Sequence, residues 1–534
     1  MASVTKQRIG KYTYLYESVS YRDELGRPRN KKDKIGKIDP YTGKTIYTPE
    51  YCKRTGCAPV QFNGHSSEEA PAEAKKYAQQ FLDSVKCYGA YWFLRAISEK
   101  IGLWDILQQA FPDTWREIFT LACYLVVSDK PAMYCEDWLV ENEWLEVGSM
   151  SSQRISELLT KFDETHRYRF YRIWSERIQE QEYLALDITS FSSYSEQITD
   201  CEWGHNRDNE KLPQVNLCML YGEKSRLPVF QTNYSGSLSD VTTLECTISE
   251  FQAVSGTREI MAVMDKGFFS TQNVNTLIAK NVRFLVSVPF SSKFAKQFVA
   301  DEREDIDQIS NVIHTSDSPI RGIHRVYYWL KSDFKLHVHI YFNPEKAVKD
   351  RNELYGYVAK LKDIAAKDPD NTKYKKDIAH YLAMQKNNDA EGGVCICVRE
   401  DVVARTLETA GWFVLLSSHI DAPQIAYDVY RLKDVVEKSF WKYKNCLGLD
   451  RLRVHTNERV LNKTFVAFVA LILSSHIHNV LKTQKLYKIM TFDKLFLTLA
   501  KLKSASISGH RFLRPLTKQI KDILKAFHVP VPVG

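Results

Sequence analysis

Apolar and polar residues change their period several times along the chain, and each change marks a unit. Tyr12, Tyr14 and Tyr16 alternate with Thr13 and Leu15, the two-residue period of a strand. Gly26-Arg27-Pro28 and Pro40-Tyr41-Thr42-Gly43 are turn signals, so residues 11–50 predict a small β unit. Pro59, Gly64, Ser66 and Ser67 mark a linker over 50–70. From 71 to about 180 apolar residues recur three and four apart, as in 88–110 and 115–127, and predict helices. This region suits either a helix-turn-helix DNA-binding unit or a helical cap on the next domain.

From 183 the pattern alternates between strands and helices. Strands are expected at 183–188, 214–221 and 228–234, a helix at 239–251, a strand at 259–264, a helix at 271–280 and a strand at 282–288. That order, β-β-β-α-β-α-β, is the order of an α/β ribonuclease-H-like core with a mixed sheet flanked by helices. It is not continued over 290–418. There 325–330 and 335–342 alternate like a hairpin, 347–366 and 374–385 read as charged helices, and 393–399 and 411–417 as strands. We therefore expect six units. They are a basic β-rich unit at 1–60, a helical region at 71–180, the first part of the core at 183–289 and a β-rich insertion at 290–418. The second part of the core follows at 419–480, with a long helix over about 425–444 and an apolar one over 460–480, and a basic helical tail at 481–534 closes the chain.

Composition narrows the class. A chain of 534 residues with 44% hydrophobic, 12% aromatic and 26% charged residues is of globular type, since disordered chains lack apolar groups to bury. The longest apolar run, Phe465 to Leu473, is far shorter than the ~20 residues of a bilayer span, so no membrane partner is expected. The basic N-terminal stretch is followed by no apolar segment, so no secretory signal is expected. Eleven irregularly spaced cysteines suit reduced thiols in the cytoplasm. Cys52-x4-Cys57 lacks a second ligand pair for zinc.

The net charge of +8 is unevenly spread: residues 1–60 carry 13 Lys/Arg against 6 Asp/Glu, and residues 451–534 carry 15 against 3. Two basic ends around an acidic centre suit a polyanion partner or, more plainly, solubility. Within the N-terminal unit, Arg27, Arg29, Lys31, Lys32, Lys34 and Lys37 crowd into eleven residues, a pattern that fits a β-ribbon lying in a DNA groove or a solvated basic hairpin.

The candidate chemistry is acidic. Asp187 follows Tyr-Leu-Ala-Leu and Asp265 follows Ile-Met-Ala-Val-Met, each at the expected carboxyl edge of a strand, where open α/β sheets place ligands. Two carboxylates on adjacent strands repel unless a cation lies between them, and oxygen-only donors suit Mg²⁺ or Mn²⁺. Glu437 is the third carboxylate chosen. Tyr430, Lys433, Glu437, Trp441 and Lys444 fall on one helix stripe, which serves a metal-and-phosphate site or an exposed face of i,i+4 ion pairs.

These pieces together resemble a DDE transposase of the bacterial insertion-sequence type, with a β-rich insertion in its catalytic domain. The matching segments are Leu-Asp187-Ile-Thr-Ser, Gly204-His-Asn-Arg207-Asp208 running into Leu-Pro-Gln214-Val, Met-Asp265-Lys-Gly-Phe, and the Tyr-x2-Arg-x3-Glu-x6-Lys signature on Tyr430, Lys433, Glu437 and Lys444. The signature Arg is Lys433 here, which keeps the charge but loses the bidentate fork. The resemblance covers about 183–480. It implies that Asp187, Asp265 and Glu437 hold two Mg²⁺ (or Mn²⁺) ions, and that Tyr430, Lys433 and Lys444 contact DNA phosphates. The implied activity is cleavage at the element's ends and strand transfer into target DNA, cut-and-paste transposition by a homodimer on paired ends, in a bacterial cytoplasm at the nucleoid. Relatives pass through a hairpin end with a base flipped onto an aromatic; Trp329 or Trp441 suits that role or a core position. His205, Arg207 and Asp208 border the site or form a polar loop. An endonuclease without strand transfer, or a domesticated non-catalytic DNA-binding protein, is the alternative. A phosphate-loop enzyme or a serine hydrolase lacks its motif here.

Overall fold

The computed structural model describes residues 3–9, 12–24, 26–38, 44–57, 79–178, 183–204, 210–238, 240–256, 260–315, 318–368, 371–386, 394–431, 433, 440, 444, 452–507 and 510–533. Two compact units result, Met1–Asp83 and Ser84–Gly534. In the first, β1 (Ser3–Ile9), β2 (Tyr12–Arg22), β3 (Pro28–Ile38) and β4 (Thr45–Tyr47) form an antiparallel sheet in that order. Leu15 and Ile35 are its buried centre. β2 and β3 make a long hairpin with a register shift after Leu15. At Gly36 a Cβ would stand 2.5 Å from the Ile46 carbonyl oxygen, so glycine is required for β4 to pair there.

The second unit is built on nine strands. β5 (Lys86–Cys87) lies apart from them, in a small sheet with the C-terminal strands β17 (Lys503–Ile507) and β18 (His510–Leu513). The tail was expected to be helical. It does hold helices Phe492–Leu499 and Lys518–Ala526, but between them Ser504, Ala505 and Ser506 pair with Leu513, Phe512 and Arg511, an extended ladder set by the partner strand rather than by local propensity.

The large sheet takes β6 (Leu184–Ser192), β7 (Gln214–Gly222), β8 (Pro228–Ser235), β9 (Met261–Met264), β10 (Arg283–Val288), β11 (Val312–Ile313), β12 (Ile320–Tyr328), β13 (Lys335–Phe342) and β16 (Trp412–Ser417), in the order β11-β12-β13-β16-β10-β9-β6-β7-β8. Every residue of β6 and β7 is buried, the polar Asp187, Thr189, Ser190, Ser192, Gln214 and Asn216 included. β6–β9 and β9–β10 are parallel and the remaining pairs antiparallel. The strands of the 290–418 segment thus extend the core sheet through β16, which pairs with β10. Its helices Pro344–Lys367, Lys375–Tyr381 and Glu400–Leu407, together with the pair β14 (Leu382–Lys386) and β15 (Val394–Val398), enclose a small core of Val358, Leu361, Ala365, Ile378, Leu382 and Val403. The helix expected to reach Gln385 ends at Tyr381, and β14 pairs from there with β15.

Helix Asn457–Thr483 is long and apolar enough to cross a bilayer by length and composition, yet 78% of its apolar window is buried inside the protein. It carries Phe465 against Phe111, Phe162, Phe170 and Tyr171, which come from the helical region before the sheet. Arg167 donates to Asn462, and Asn462 Nδ2 donates to Leu159 O at 2.9 Å and to Phe162 O at 2.6 Å. This buried asparagine is therefore satisfied by internal partners, and the helical region packs here as a cap.

Helix Pro423–Arg431 crosses the sheet face near β13 and β16 and is pinned at its start. His339 Nε2 meets Ile420 O at 2.9 Å, Tyr341 Oη donates to Pro423 O at 2.7 Å, and Gln424 clamps both the N–H and the C=O of His314 at 2.9 Å each. Burial pushes His339, His419 and His476 each down to about 4.

This packing sets two expectations for stability. Phe465→Ala should cost about 3–5 kcal/mol in urea unfolding, whereas Phe465→Leu should cost much less, because only the former leaves an aromatic-sized void. The histidines add a pH dependence. Unfolded imidazoles take up protons below about 6.5 while the buried ones stay neutral to about 4, so the unfolded state binds more protons in that window. Stability should fall as pH drops from 6.5 towards 4, read as a declining urea midpoint, with the decline smaller in His339→Gln.

Candidate active site

The site begins where two parallel strands part. β6 and β9 pair as Leu184–Ala262, Ala185–Val263 and Leu186–Met264; β9 then stops, while β6 continues to Ser192 beside β7 alone. Asp187 and Asp265 are the next residues on the two chains. Asp187 therefore lies within its strand rather than at its end, at the point where the sheet opens on one side. Asp265 caps the short helical turn Lys266–Phe268, its Oδ1 accepting from Lys266 N at 2.7 Å. Asp187 is buried, and its Oδ1 accepts from Ile188 N at 2.8 Å.

Helix Pro423–Arg431 and Lys433, two residues beyond it, supply the rest. Tyr430 Oη donates to Asp265 Oδ1 at 3.2 Å and also hydrogen-bonds Ser287. Lys433 is helical and only 5% exposed, and its Nζ lies 3.0 Å from Asp265 Oδ2 and within electrostatic reach of Asp187. A buried ammonium thus pairs with Asp265 and adds its positive charge to the field at Asp187. Burial pushes the Asp265 carboxyl up, but Lys433, the Lys266 N–H and the Tyr430 hydroxyl outweigh it and hold the group below its ordinary value. Burial lowers Lys433, and Tyr430, Asp265 and Asp187 more than reverse this. Burial, followed by Asp265, raises Tyr430, so its hydroxyl keeps its proton and donates.

Among the described residues no three His, Cys, Asp or Glu side chains gather as metal ligands. Glu437, Trp441, His205, Arg207 and Asp208 lie outside the described residues. Lys444 Nζ is 6.0 Å from the ring centroid of Phe191, further along β6. Trp329 is buried, donates from Nε1 to Asn275 Oδ1 at 2.7 Å and packs on Phe294 and Tyr327, a core aromatic.

The N-terminal cations sit in the other unit. Arg29, Lys31, Lys32 and Lys34 are exposed along β3, with Arg27 in the preceding turn. Arg27 and Arg29 both reach Asp23, at 3.3 and 3.2 Å, Lys31 reaches Asp33 at 3.5 Å, and Lys34 lies 3.9 Å above the Tyr14 ring. Exposed pairs of this kind contribute little and exchange readily for other anions. Ser287 escaped the sequence reading because a serine inside an apolar strand carries no signal of a partner 143 positions away. Arg453, Arg459 and Lys463, which line a cavity with Lys444, were visible only as part of the basic C-terminal balance.

The geometry can be set beside known proteins. No curated protein matches the chain. A cryo-EM structure of a piggyBac transposase synaptic complex with hairpin DNA is similar over 78% of this chain and 76% of that one, at 11% identity and a TM-score of 0.35. Residues 179–473 match the family described as "Transposase DDE domain". That match spans more than half of the chain and runs from just before β6 to the buried helix behind the sheet, taking in both aspartates and the Tyr430–Lys444 stripe. The chain belongs to the transposase DDE-domain family.

Proposed function

We propose that this protein is a transposase that cuts double-stranded DNA at the ends of its element and joins those ends to target DNA, with Asp187, Asp265 and Glu437 as the carboxylates that hold two divalent ions. The observation that carries the reading is the buried Lys433 ammonium on Asp265 beside Asp187, at the point where β6 and β9 part. Carboxylates placed there need a positive charge, and oxygen donors suit Mg²⁺ or Mn²⁺. Glu437 follows Lys433 by four residues in the sequence, the spacing that sets two side chains on one helix face. When bound, the divalent ions would supply activation of water or a 3′-hydroxyl and stabilisation of the leaving oxygen.

The chain's own groups do the positioning. Tyr430 orients the Asp265 carboxylate through its hydroxyl and, with Lys433, lines the site where a phosphate would approach. Lys433 passes from its carboxylate partner to the phosphate once the carboxylates are otherwise neutralised. Lys444 reaches a neighbouring phosphate. Arg27, Arg29, Lys31, Lys32 and Lys34 on the β2–β3 hairpin grip the duplex, and the active form is a homodimer on paired ends.

Three outcomes test this. Asp187→Asn, Asp265→Asn and Glu437→Gln should each abolish Mg²⁺-dependent cleavage of end-bearing DNA while leaving duplex binding within about threefold, since binding rests on cations elsewhere; normal cleavage by any one removes that residue from the triad. Lys433→Met should melt at a lower temperature than the parent protein without divalent ions and gain more stability from added Mg²⁺, because no ammonium competes for the carboxylates. Equal Mg²⁺ shifts in the two proteins would refute the competition. Removing residues 1–60 should weaken duplex binding and flatten its salt dependence, by about 0.9 in log–log slope for each phosphate no longer neutralised. An unchanged slope would make the basic hairpin a solvated surface.

A further inference from the structure

We propose that a cavity between helices Trp115–Val127 and Ser152–Leu158 and the start of helix Asn457–Thr483 is a nucleotide pocket, which holds one phosphate-and-sugar unit of the DNA strand leading to Asp187 and Asp265; it rests on the DNA-acting reading above and adds a second binding site to it. The cavity has a volume of about 560 Å³. Among the described residues, Lys444, Arg453, His455, Arg459 and Lys463 line it against a single carboxylate, Asp129. Such an excess of positive charge around one concavity selects a polyanion.

Two of these cations are already fixed. Arg459 Nε donates to Ser156 O at 3.3 Å, and Lys463 Nζ donates to Leu452 O at 2.7 Å. Side chains held before binding lose less freedom when an anion arrives. Helix Asn457–Thr483 also begins here, and the positive end of its dipole adds to the field.

The rest of the lining decides what kind of anion fits. Leu121, Leu125, Ile155 and Leu159 form an apolar wall. A bare phosphate has no use for that wall and fills little of the volume. A nucleotide uses both, with its phosphate on the cations and its sugar or base on the leucines, and the volume lies within the ~300–1,000 Å³ of pockets that take organic ligands. The location fits a strand running to the carboxylates. Lys444 stands over the face of Phe191, four residues past Asp187 on the same strand, and at about 3.3 Å per residue that places Phe191 on the order of 13 Å from Asp187.

The test uses the full chain and three probes: a short single-stranded oligonucleotide, a deoxynucleoside monophosphate and inorganic phosphate. Arg453 is on an exposed loop, so Arg453→Glu is the variant safest for folding, and Lys463→Gln is the second. Each should weaken the oligonucleotide about five- to tenfold and reduce the salt slope by roughly 0.7 for each phosphate no longer neutralised. The monophosphate should compete with the oligonucleotide in the parent protein, and inorganic phosphate should compete far less. Unchanged affinity and slope in both variants would overturn the pocket, as would competition by phosphate equal to that by the nucleotide, which would mark a general anion sink. Cleavage is measured in parallel. A parent protein that never cleaves DNA would defeat the transposase reading, whereas the binding arm decides the pocket by itself.

Discussion

Two carboxylates at the opening of a buried sheet cannot be left facing each other, and the rest of the catalytic unit is arranged around that constraint. β6 and β9 run parallel until Leu186 and Met264, and the next residue on each chain is an aspartate. The structure meets the charge with Lys433, two residues past helix Pro423–Arg431. Removing one partner from such a pair leaves an uncompensated buried charge, which is far more costly than the pair is stabilising. Helix Pro423–Arg431, which precedes Lys433, is tied down at its start by His339, Tyr341 and Gln424, which pin it to β13 and to the segment just after β11.

This dependence gives the long segment between β10 and helix Pro423–Arg431 a role in the site. Its strands β12, β13 and β16 continue the same sheet, and its residues hold the start of the helix that carries Tyr430. The small core around Leu361 and Ile378 is a cluster separate from those of the sheet, and Asp350 on its helix Pro344–Lys367 accepts from Gly411 N, just before β16, at 2.9 Å. Behind the sheet, helix Asn457–Thr483 gathers the aromatic cap of Phe111, Phe162 and Phe170 on Phe465, and Tyr171 joins it to β8 at Phe230. A helix this apolar belongs in a protein interior, and 78% of its apolar window is buried there.

Asp187, Asp265, Tyr430 and Lys433 were legible in the sequence because each belongs to a local pattern. An acid after an apolar strand, or side chains three and four apart on a helix, depends only on neighbours along the chain. The core strands over 184–288 were legible for the same reason, as apolar runs. The strands β1, β4, β14 and β17 were not, since short or polar strands are specified by the partner that completes their hydrogen bonds, and nothing in Ser504-Ala505-Ser506 names Leu513 or Cys87 as that partner.

By itself the sequence determined which residue types are available for chemistry and the family to which the chain belongs, through acids, cations and aromatics at set spacings. Tertiary structure alone decided what those groups do to each other. Lys433 reads in the sequence as a phosphate contact on a helix stripe, and folding buries it on Asp265. Ser287 reads as one polar residue in a strand, and folding sets it on the Tyr430 hydroxyl. The physical reason is that electrostatic and hydrogen-bond energies depend on distance and burial, and pairs more than a hundred residues apart acquire both only when the sheet has formed.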